Sequence, residues 1–70
     1  MNEKEIGIIK QNLIKLLDAS RCEGFYQART LDVSLSDRSL IEYNNLRQIS
    51  YMDRNDALLK IERILEREQS

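Results

Sequence analysis

The sequence predicts a mainly α-helical chain that carries one short β-strand and completes its core as a homodimer. Apolar residues recur at three- and four-residue steps over most of the 70 positions, as they do in amphipathic helices. Between two such stretches the run "TLDVSL", positions 30–35, alternates polar and apolar side chains with the period of a strand. A single domain of this length buries only about 60% of its unfolded surface. With one cysteine and no histidine, neither an internal disulfide nor a Cys/His zinc cluster can make up the deficit, which leaves a second chain.

The first helix is expected over about 3–19, where Ile6, Ile9, Leu13, Leu16, Leu17 and Ser20 form one stripe and Ile8 and Ile14 widen it. Gly7 costs about 1 kcal/mol relative to alanine but lies in the first turn. "SRCEGFYQAR" interrupts the pattern at Gly24 and reads as a connection or a short second helix. In the strand, Leu31, Val33 and Leu35 share one face, while Thr30, Asp32 and Ser34 share the other. Ser36 supplies a hydroxyl for an N-cap and Asp37 suits the positive end of a helix. That helix carries Leu40, Tyr43, Leu46 and Ile49, with Ile41 on its flank. The pattern lapses at Ser50, Tyr51 and Met52, and Asp53 reads as a second N-cap. A last helix over about 54–67 has Ala57, Leu58, Ile61, Ile64 and Leu65 on one face. The expected core is Leu31, Val33, Leu35, Leu40, Tyr43, Leu46, Ile49, Leu58, Ile61 and Leu65.

Eleven basic and twelve acidic side chains give a net charge of −1, so any basic surface has to arise locally. No apolar run approaches the roughly 20 residues of a membrane span, and no basic region followed by an apolar run marks a signal peptide. A free thiol at Cys22 suits a reducing compartment, so a cytoplasmic protein without a membrane partner is expected. No paired carboxylates, nucleophile with its base, phosphate-binding glycine loop or metal-ligand spacing is present. The expectation is therefore a non-enzyme without cofactor or metal.

An isolated strand leaves a row of unpaired backbone groups, and the same strand of a second chain, antiparallel across a two-fold axis, is the economical partner. The succession "TLDVSL", "SDRSLIEYNNLRQIS", "YMD", "RNDALLKIERIL", with Arg54 nineteen residues after Leu35, resembles the ribbon-helix-helix repressors of the Arc, methionine-repressor and CopG type. The resemblance covers 29 to about 67 and is one of register and pattern. It divides the chain into an N-terminal helical extension, 1–28, and a ribbon-helix-helix domain, 29–70. It implies a dimeric, sequence-specific regulator of transcription, a repressor, that sets a two-stranded ribbon in the major groove of double-stranded DNA.

In such a protein Thr30, Asp32 and Ser34 face base edges and Arg29 is the strongest local contact. The amides around Arg54 and Asn55, at the start of the second helix of the domain, hold a phosphate, and Arg38 reaches the backbone. The bland alternative for each is a solvated strand face or a solvated charge. The N-terminal helix is extra to this scheme. Its stripe either covers the dimer, joins dimers into a higher oligomer, or docks another protein. A different class of function is a small protein-binding module, such as an inhibitor, antitoxin-like partner or assembly chaperone. The near-neutral charge, the acidic Asp32 and the apolar N-terminal helix favour it. There the helices form a plain hairpin and "TLDVSL" is an extended connector, or an edge added to a partner's sheet.

Overall fold

The computed structural model describes residues 1–69, and they form two long antiparallel helices, α1 (Glu3–Thr30) and α2 (Asp37–Gln69), joined by a six-residue turn. The expected ribbon-helix-helix fold is not formed: no strand occurs among the described residues. The reason is local. Asp32 accepts at its Oδ1 from the Ser34 amide (2.9 Å) and from the Ser34 hydroxyl (2.7 Å), and the Leu35 amide donates to the Asp32 carbonyl (3.3 Å). Aspartate and serine hydrogen-bond their own backbone two residues away and so favour a turn over extension. Five alternating residues with no partner strand in the chain have nothing to set against that preference.

α1 runs eleven residues beyond its expected end at Ala19, so "SRCEGFYQAR" is helix, not connection. Gly24 is the only weak helix former there, and one glycine costs about 1 kcal/mol without breaking a helix. At the start, the Asn2 side chain accepts from the Glu5 amide (2.8 Å), and Glu3 and Glu5 complement the helix dipole. At the end, the Thr30 hydroxyl donates to the Gln27 carbonyl (2.7 Å), and the Leu31 and Asp32 amides donate to Ala28 and Arg29. Ser36 caps α2 as expected: its hydroxyl accepts from the Ser39 amide (3.2 Å). The expected break at Ser50, Tyr51 and Met52, and the N-cap at Asp53, are absent because α2 continues through them. That segment contains neither glycine nor proline, so nothing in it forbids the helix.

The seam between the helices is narrow and built from small residues. Ala19, Ala57, Ile61 and Ile64 are its buried apolar members, and Asn12 and Ser50 its buried polar ones. Alanines allow two helices to approach closely but bring little apolar area. The Asn12 amide donates to the Ile8 carbonyl (2.8 Å), while its buried Oδ1 has no partner. The ion pairs Glu23–Arg54 (3.3 Å) and Glu5–Arg67 (3.9 Å) bridge the two helices. Of the ten expected core residues only Ile61 is buried, at 7% exposure. Leu35, Leu40 and Tyr43 are half-buried, and Leu31 (77%) and Val33 (102%) stand in solvent on the turn.

Candidate interaction surface

Two helices packed by one seam leave two sides, and these differ in chemistry. On one side a shallow groove of about 370 Å³ opens along the seam. Its walls are polar: Lys15, Asp18 and Cys22 on α1, Asp53 and Asp56 on α2, with alanine and Ser50 at its floor. Asp56 is further tied to Lys60 (3.0 Å). Among the described residues no group of three or more His, Cys, Asp or Glu side chains is placed to hold a metal ion.

The opposite side is apolar. Successive residues turn by about 100° along a helix, and relative to the buried line Asn12–Ala19 the groove residues Lys15 and Cys22 lie to one hand. Ile6, Ile9, Leu13, Leu16 and Leu17 lie to the other. On α2 the same rotation about Ala57, Ile61 and Ile64 sets Asp53 and Asp56 toward the groove, and Tyr51, Leu58 and Leu65 away from it. The two apolar rows therefore share one face of the hairpin. They are open to solvent there: Ile6 39%, Leu13 43%, Leu17 66%, Tyr51 45%, Leu58 41% and Leu65 43% exposed. The stripe legible in the first nineteen residues thus exists, but α1 turns only its edge, through Asn12 and Ala19, toward α2.

This fold separates the residues expected to contact DNA into two groups. Arg29 and Thr30 close α1, Asp32 and Ser34 form the turn, and Arg38 opens α2, so these five gather at one end of the rod. Arg29 lies over the Phe25 ring (5.2 Å), and Arg38 pairs with Glu42 (3.6 Å). Arg54 and Asn55 sit in the middle of α2, about 24 Å along the helix from Arg38 at 1.5 Å per residue. Their amides belong to the helix interior, so no helix N-terminus is there to hold a phosphate. Arg54 is instead an inner rung of the seam, ion-paired with Glu23 and lying over the Tyr51 ring (5.0 Å).

Among the described residues Asp32 is the titratable group whose pKa is shifted. Its carboxyl is held below the usual aspartate range, first by the Ser34 hydroxyl, then by the Ser34 amide; burial opposes them, and the Arg29 charge adds the smallest contribution. A depressed folded value means that the turn gains from the carboxylate above the ordinary aspartate pKa and loses that gain as pH falls through the lowered one. The Ser34 amide resonance should titrate with a midpoint below that of aspartate in a short peptide, and Asp32→Asn should abolish the titration. A midpoint at the peptide value would show that the two hydrogen bonds do not form.

No helix among the described residues is long and apolar enough to cross a membrane. No protein-family model, curated protein or solved structure matches this chain.

Proposed function

We propose that this protein is a small helical-hairpin interaction module, which works by docking the apolar face shared by α1 and α2 against another polypeptide. One observation carries the reading: among the described residues the buried seam holds only four apolar ones, two of them alanine, while Leu13, Leu17, Leu58 and Leu65 remain on an open face. Contiguous apolar surface of this kind favours association, and a net charge of −1 raises no long-range barrier to a protein partner. The turn that takes the place of the expected ribbon offers no paired strands to a major groove, so double-stranded DNA is not the partner we favour. A cytoplasmic setting suits the free thiol of Cys22.

Site-specific photo-crosslinking in the producing cell tests this. A photoreactive side chain at Leu17 or Leu58 should give discrete protein adducts, identified by mass spectrometry, and the same group at Lys60 or Glu42 on the polar surface should not. Absence of any protein adduct from the apolar face, or equal labelling from both surfaces, would overturn the proposal.

A further inference from the structure

We infer that the occupant of the apolar face is a second copy of this chain, so that two hairpins close face to face into a four-helix bundle; the inference rests on the interaction-module reading. Area is the first ground. Folded monomers of 8.3 kDa expose about 4,600 Å² by the general scaling of surface with mass. This rod, 50 × 17 × 13 Å between its extreme Cα atoms, exposes 5597 Å². The surplus of about 1,000 Å² is the size of one partner's share, about 800 Å², in a standard stable interface.

Spacing is the second ground. Tyr51, Leu58 and Leu65 on α2 repeat at seven residues, and Ile6 and Leu13 on α1 stand seven apart before Ser20 ends that row. A seven-residue apolar repeat keeps one row facing a neighbouring helix along its length, which is the condition for bundle packing. Each hairpin supplies the row of α2 and, beside its Leu58–Leu65 half, the Ile6–Leu13 pair of α1, so two hairpins bring apolar side chains from four helices to the shared core.

Charge is the third. On the solvent margin of the apolar rows, the 100° rotation places Lys10 on α1 and Glu62 on α2. A copy that sets its α2 over α1 brings Lys10 of one chain toward Glu62 of the other at each of the two seams.

Sedimentation equilibrium on the full chain tests the inference, with circular dichroism confirming helicity. The unaltered protein should be dimeric. Leu13→Glu with Leu58→Glu should weaken dimerisation on the order of 100-fold, because four carboxylates would be buried in the shared core. Ile41→Glu with Met52→Glu, on the outer face of α2, should leave the dimer intact. Should the first pair lose helicity, the photoreactive group at Leu17 decides: its adduct should have twice the chain mass and contain peptides of this chain alone. A monomeric unaltered protein, a dimer broken by the outer pair and not the inner one, or an adduct containing only a different protein would overturn the second-copy assignment. The last of these outcomes would leave the interaction module itself standing, and absence of every adduct would remove both.

Discussion

Proline at position 52 should cost about 3 kcal/mol or more of folding stability, a large fraction of the total for a chain this small. Met52 lies in the middle of α2 with its side chain 61% exposed, so the substitution removes little packing and acts through the backbone. It deletes one helical hydrogen bond and drives the pyrrolidine ring into the carbonyl four residues earlier. Urea denaturation followed by circular dichroism measures the loss. The result separates the two architectures directly. In a ribbon-helix-helix chain Met52 falls in the turn between two helices, where proline is tolerated; in the hairpin it falls inside an unbroken 33-residue helix. Full stability of Met52→Pro would show that α2 is broken there.

Ile64→Ala should cost about 2–5 kcal/mol. Ile64 is 3% exposed and is one of the two isoleucines among the four buried apolar residues, so its removal opens a void in a seam that has few other atoms to close it. Leu59→Ala, at 49% exposure, should cost much less. The contrast between the two variants in the same denaturation experiment checks the rotation of α2 about its axis. Equal losses would mean that the buried line of α2 is not the one through Ala57, Ile61 and Ile64.

Helical content was legible in the sequence, and so were several local devices. The stripe from Ile6 to Leu17, the cap at Ser36 with Asp37 behind it, and the apolar face through Ile61 and Ile64 all follow from spacing and side-chain chemistry. The run 31–35 misled because period two over five residues does not distinguish a strand from a turn whose polar members alternate with leucine and valine. The decisive feature was the pair Asp32 and Ser34, which the strand pattern counts as an outward face and the turn uses as its hydrogen bonds. Likewise Ser50 through Asp53 contains good capping residues, but a capping residue ends a helix only where tertiary structure leaves an end. Ser50 instead lies buried against α1.

The apolar face was half legible. Its α1 row stood out as an apolar stripe with no assigned cover, and the plain hairpin was one of the arrangements it allowed. What periodicity could not show was the rotation of α1, which points Asn12 and Ala19 at α2 and sets the leucines aside. Nothing in the spacing marks an asparagine between Gln11 and Leu13 as the centre of a seam. Its buried carbonyl, without a partner, is a cost that an apolar stripe would not predict.

The brevity of the turn also bears on how the molecule assembles itself. Six residues separate α1 from α2, and the closure entropy of a connection rises by only about 0.6 kcal/mol for each doubling of its length. The helices can therefore meet first beside the Asp32–Ser34 knot and zip toward the far end, where residues distant in sequence join last. Val33 points wholly outward at the apex of that knot, so extra chain spliced in beside it would slow the zipping only slightly. The apex is thus the natural place to open or extend the polypeptide while keeping its fold.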